Sequence, residues 1–229
     1  MNNRQFNQVF FTLTAGAPLV LCATNAAAYT QFQARDALSQ SLQAGSAFAV
    51  KQLGTLDGFW GSEKVRIPLP SFLEQARTLL KTFGQQERLE TLHMSINRAA
   101  ESAVSQALPL LKRAVSSLST KDAVDILKGG NTAVTDYFAS VTREPLKAQF
   151  LPTVQHATQQ YKAAGQYEQL LKTVQRFGVG KHQPATVAEH VTLSALNSLY
   201  ATVAEAEQRL RANPAQAATR VLRQVFGNL

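Results

Sequence analysis

Cysteine is almost missing from this chain: Cys22 is the only one in 229 residues. A disulfide framework is thereby excluded, and so are zinc sites built from cysteine pairs. Glycine is sparse where phosphate chemistry would want it. A Walker loop needs a glycine, four residues and then Gly-Lys-Ser/Thr, and a dinucleotide turn needs three spaced glycines after a strand; neither is present. No Gly-x-Ser-x-Gly elbow supplies a nucleophile. His93, His156, His182 and His190 are scattered, with no His-Glu-x-x-His pattern among them, and only the Pro184 loop could bring His182 to His190. Asp122 and Asp125 are spaced as a helix surface rather than as an acid/base couple. No catalytic residue, metal ligand or cofactor follows from these patterns, and no enzyme is expected.

Clustered charge is missing too. The net charge is +8, but Lys112-Arg113 is the longest basic run and acidic residues are interspersed elsewhere. A nucleic-acid footprint would be a basic stripe with aromatics between the charges, so no nucleic-acid partner is expected. The mild excess suits solubility or loose attraction to an anionic envelope surface. Long hydrophobic runs are missing as well. The uncharged, mainly apolar stretch Val9 to Cys22 is shorter than the ~20 residues that span a bilayer.

That stretch follows Arg4 and leads through small residues to Ala26-Ala27-Ala28, the order of a secretory signal with cleavage after Ala28. A buried N-terminal helix over Phe6 to Leu21 is the competing reading, but Gly16 and Pro18 interrupt it and no amphipathic period appears. The expected address is the periplasm, with residues 1–28 removed and a single domain over 29–229. The alternative is a membrane-anchored lipoprotein acylated on Cys22, a peripheral association that the large Leu21 before the cysteine disfavours. No transmembrane span is expected in the mature chain. Cleavage takes the charge from +8 to +7, since Arg4 is the only charged side chain removed. It also leaves no cysteine, so the domain must rest on its apolar core. A chain of this length buries roughly 70% of its unfolded surface, enough for one self-sufficient core.

From Gln31 onward the apolar spacing is helical. Leu89, Leu92, Ile96, Ala99, Ala103, Ala107 and Leu110 recur at threes and fours and predict one helical stripe. Val187, Val191, Ala195, Leu199 and Val203, flanked by Leu196, Tyr200 and Leu210, predict a second. Both are rich in alanine, which lets helix axes approach closely, so both belong in the packed centre. Ser119 with Asp122 predicts an N-cap for a helix over Lys121 to Lys128. Asn213-Pro214 predicts a last helix running to about Phe226. Pro109 and Pro152 should break or kink theirs. Gly54 to Pro70 is the exception: a turn around Asp57-Gly58, then a short extended segment, about 62–70, held out of helix by Pro68 and Pro70. Phe59, Trp60 and the alternating Val65, Ile67 and Leu69 should cover one face of the bundle. A lone extended segment has no strand to pair with. The fold class is all-α, a single compact multi-helix bundle with this one extended segment.

Two polar groups stand out. Gly129, Gly130, Asn131 and Thr132 form a corner between helices. Its structural reading has Gly129 left-handed at a helix end and Asn131 or Thr132 capping the next helix. Its functional reading is an anion site at the exposed amides. The second group is Asn97, Arg98 and Glu101, in which Arg98 and Glu101 lie one turn apart and can pair. With Arg66 and Asp136 they could form a polar pocket beneath the segment KVRIPLP, or a set of buried bonds fixing helix register.

Several stretches, in order, resemble the DUF4197 family of bacterial exported proteins: Ala37-Leu38 through the turn of helix at Gly45, LGTLDGFWG with KVRIPLP, SINRAAESA, DAVDILKGGNTAVTDYF, LKAQFLP, and LYATVAEAEQRLRANP with VFG. The resemblance covers about 37–227. It implies an all-helical exported protein, often a lipoprotein, with no established reaction or ligand. Two departures stand out: Leu21 before the cysteine, and Asn197-Ser198 where the family usually carries an aspartate and a glycine. The expected role is non-catalytic binding of a partner protein or other envelope component. The alternative is a carrier of a lipid or other apolar ligand in the helical core, and a hydrolase is a minor third.

Overall fold

A computed structural model describes residues 29–119, 121–176 and 186–229; residues 1–28, read above as a secretory signal and including Cys22, and His182 lie outside them. Among the described residues the chain forms α1 (Gln31–Leu53), α2 (Ser71–Gln75), α3 (Arg77–Thr82), α4 (Gln86–Ser105), α5 (Leu108–Ser116), α6 (Ala123–Leu127), α7 (Ala133–Gln160), α8 (Ala163–Arg176), α9 (Val187–Ala212) and α10 (Arg220–Phe226). No strand occurs among them. The all-α bundle read from the periodicity is the fold.

The centre is α9, which packs most extensively on α7 and α1, with α4 against α7, α8 and α9. Both alanine-rich stripes point inward. Leu92, Ile96, Ala99, Ala103, Val191 and Ala195 are fully buried, while Leu110 and Leu210 are only half-buried at the ends. Alanine is not the smallest residue used. At Gly45 of α1 an added Cβ would stand 3.0 Å from Val203 Cγ1 on α9, so the two axes meet where one helix has no side chain.

Start signals explain the strongest boundaries. Thr30 and Thr186 each open a helix with a reciprocal capping box, Thr30 with Gln33 and Thr186 with Glu189. Pro109 enters the first turn of α5, so the chain breaks between α4 and α5 as expected. Pro152 neither breaks nor ends its helix: α7 runs unbroken through Pro145 and Pro152. The two prolines are seven residues apart on one solvent-facing side, and the carbonyls they leave without an amide belong to exposed Val141 and Ala148, where water can bond them.

Three further boundaries differ from expectation. Pro214–Gln216 makes only a 3-10 turn, and α10 starts afresh after Thr219, whose hydroxyl takes the Leu222 amide and donates to Gln40 on α1. Tertiary bonding to α1, not the Asn213-Pro214 signal, sets that start. The helix expected over 121–128 is shorter, Ala123–Leu127, and Asp122 caps it without a side-chain bond. The Ser119 carbonyl instead receives the Tyr137 hydroxyl from α7.

Candidate functional site

The segment from Arg66 to Pro70 is extended and has no neighbouring strand, so its backbone groups need other partners. Side chains of two helices provide them. Asn97 of α4 behaves as a one-residue strand: its Oδ1 accepts the Ile67 amide at 2.8 Å and its Nδ2 donates to the Ile67 carbonyl at 3.0 Å. His93, one turn earlier, donates from Nε2 to the same carbonyl at 3.0 Å, and His190 of α9 donates from Nε2 to the Pro68 carbonyl at 2.8 Å. Ile67 and Leu69 point into the core.

Glu101, one turn beyond Asn97, does the same for the preceding loop. Its Oε1 accepts the amides of Phe59 at 3.1 Å and Trp60 at 3.0 Å, and its Oε2 accepts Arg98 Nη1 at 2.8 Å. Arg98 reaches on to Asp57 at 2.7 Å, and these two partners, Glu101 first, raise the guanidinium pKa above its ordinary value. Asp57 is a left-handed residue with φ 64°, a conformation that aspartate tolerates better than most and that this ion pair fixes. Arg66 donates from Nε to the Trp60 carbonyl at 2.7 Å and lays its guanidinium 5.0 Å from the centre of the Trp60 ring, whose other neighbour is the His93 ring at 5.2 Å, edge to face.

His93, Asn97 and Glu101 are spaced by four along α4 and form one polar line facing the loop. Sequence reasoning singled out two of the three. His93 was detectable from the same spacing, and His190 was not, because its partner is distant in sequence.

Asp136 does not join this group. It stands in the first turn of α7 and accepts the Thr132 hydroxyl at 2.8 Å. The corner beside it also differs from expectation. Gly129 is not left-handed; it is needed for space, since a Cβ there would come within 2.6 Å of the Ala133 Cβ. Neither Asn131 nor Thr132 caps α7 with its side chain. The anion at this helix start is the protein's own Glu207. From α9 it accepts the Val134 amide at 3.1 Å, the Thr135 amide at 2.8 Å and the Thr135 hydroxyl at 2.7 Å, and it pairs with Arg211. A carboxylate at the positive end of a 28-residue helix fills the place an external anion would take.

Burial lowers the pKa of both His93 and His190, against the opposing effect of their carbonyl partners. The folded protein therefore binds fewer protons than the unfolded chain, whose histidines titrate near ~6.5. Their contribution is complete above that pH and is lost as the pH falls from there through the lower folded values. The midpoint of urea unfolding should accordingly drop between pH 7.5 and 5, and the double variant His93→Gln, His190→Gln should flatten that slope. An equal slope in the variant would contradict the assignment.

No group of three or more metal-ligating side chains occurs among the described residues. The profile of a family described as a protein of unknown function (DUF4197) matches residues 28–227. The chain belongs to the DUF4197 family. No match was found among curated proteins or among solved structures. Within this DUF4197 domain no described helix is long and apolar enough to cross a membrane. Asn197, at the position where the resemblance places an aspartate, accepts Arg143 Nη1 at 2.5 Å on the exposed side of α9. The Arg143 guanidinium also lies 5.0 Å from the centre of the Tyr200 ring.

Proposed function

We propose that this DUF4197 protein is a non-catalytic binding protein of the cell envelope, exported by a cleaved leader, and that it receives a partner protein on the loop from Gly54 to Arg66. One observation carries the reading: a loop with an outward apolar residue is fastened to the bundle by buried side chains whose hydrogen-bonding capacity is already used. Leu56 is 76% exposed on that loop. Trp60 and Arg66, residue types that dominate binding energy at interfaces, stand half-exposed beside each other. Because Glu101, Asn97 and Arg98 fix the loop beforehand, a partner need not supply the cost of ordering it. Arg66 has no acidic partner among the described residues, so the complementary surface is apolar with carboxylates at its edge.

The test is a photoreactive residue at position 56 in the native envelope, with one at exposed Lys172 on α8 as control. A discrete adduct is expected at 56 only, and Arg66→Glu should reduce it by about tenfold. Identical adducts at both positions, or none, would overturn the reading. The mass of the exported protein checks the address: a chain beginning at Tyr29 supports soluble export, and an acylated Cys22 the anchored form.

A further inference from the structure

The alanine-rich stripes of α4 and α9 are buried in the core, and a separate space lies at the surface. A groove of about 470 Å3 runs between α5 and α7, over Ala114, Leu118, Val141, Pro145 and Leu146, with Arg113 on its rim. That volume lies within the ~300–1,000 Å3 typical of small-molecule sites. Val141, 46% exposed, is left in contact with water there, and the exposed Pro145 ring extends the apolar wall.

Three hydroxyls of the wall are already engaged, and the Val141 carbonyl, which Pro145 leaves without an amide, is a polar group still open to water there. The Thr142 hydroxyl donates to the Phe138 carbonyl and bonds Tyr200, Ser117 donates to the Ala114 carbonyl, and Tyr137 fastens one end by donating to the Ser119 carbonyl. The unanswered charge is Arg113. Neither it nor its neighbour Lys112 has an acidic partner among the described residues, and both are exposed. An apolar trough with a free guanidinium at its mouth complements one chemistry, an apolar chain ending in an anion. We propose that the α5–α7 groove binds a free long-chain fatty acid, its acyl chain along Val141 and Pro145 and its carboxylate at Arg113. The site is separate from the Gly54–Arg66 loop, and either proposal can fail without the other.

Calorimetric titration of the purified protein with oleate, below the concentration at which oleate forms micelles, tests this. One molecule per chain is expected. Arg113→Glu, a change at an exposed side chain, should weaken binding by about tenfold or more. Val141→Trp should abolish it by filling the groove, while oleyl alcohol should bind about tenfold more weakly than oleate and ignore Arg113→Glu. Unfolding midpoints of both variants establish that they fold. Binding of several oleates per chain, or binding indifferent to both substitutions, would overturn the proposal. So would association with phosphatidylglycerol vesicles that depends on Arg113 in the absence of any uptake of monomeric oleate.

Discussion

Glu207→Ala should lower the unfolding free energy by about 3–5 kcal/mol, the range for removing one partner of a buried ion pair. The carboxylate is 4% exposed, and its loss strands several groups at once. The Val134 and Thr135 amides at the start of α7 have no acceptor of their own, because an α-helix leaves its first amides unpaired. Arg211 would keep only the Leu127 carbonyl and the face of the Phe226 ring. Glu207→Gln should cost about half as much, since its amide oxygen still accepts one bond while its NH2 faces a donor. Urea unfolding with an unchanged slope is the appropriate measurement. A loss below ~1 kcal/mol for the alanine variant would mean that water or another side chain replaces the carboxylate.

Glu101→Ala should cost nearly as much, about 3–4 kcal/mol, with a different distribution. Its two amide donors, Phe59 and Trp60, belong to the loop rather than to a helix, so the loop should loosen before the bundle does. Arg98→Ala should cost less, about 1–2 kcal/mol, because Glu101 keeps both amides and the other partner, Asp57, is half exposed. The double variant should cost less than the sum of the singles, as expected for groups in one network. Additive costs would show that Arg98 and Glu101 act independently. Loosening should also diminish the adduct formed by the photoreactive residue at position 56.

The helices were legible because their apolar residues keep a strict period, and the extended segment because two prolines and an alternation deny it helical geometry. Asn97 and Glu101 stood out as polar residues beside an apolar stripe on α4. Glu207 did not, although a signal existed. The α9 stripe Val187, Val191, Ala195, Leu199, Val203 advances by four to position 207, so a carboxylate there is placed inward by the helix itself. Glu205, two residues before Glu207, makes the same one-turn pairing with Arg209 on the helix surface, and that resemblance hides the difference in burial. Asp136 was misplaced because a residue in the first turn of a helix answers to its local cap, here Thr132, before it answers to a distant loop. The corner at Gly129 to Thr132 was read as a connector between helices, with an anion site as the alternative; that an internal carboxylate, Glu207, meets the amides of Val134 and Thr135 just beyond it depends on a contact across some 70 residues, which no local pattern contains.

The polar side chains of α4 are the fastenings of an otherwise unpaired loop, and amide hydrogen exchange measures this directly. The amides of Phe59, Trp60 and Ile67 lie outside any regular element, and in a loose loop they would exchange within the dead time of the experiment. They should instead exchange as slowly as the buried amides of α9, and Glu101→Ala should release Phe59 and Trp60 while leaving Ile67, held by Asn97, comparatively slow. Rapid exchange of all three in the unaltered protein would contradict the account.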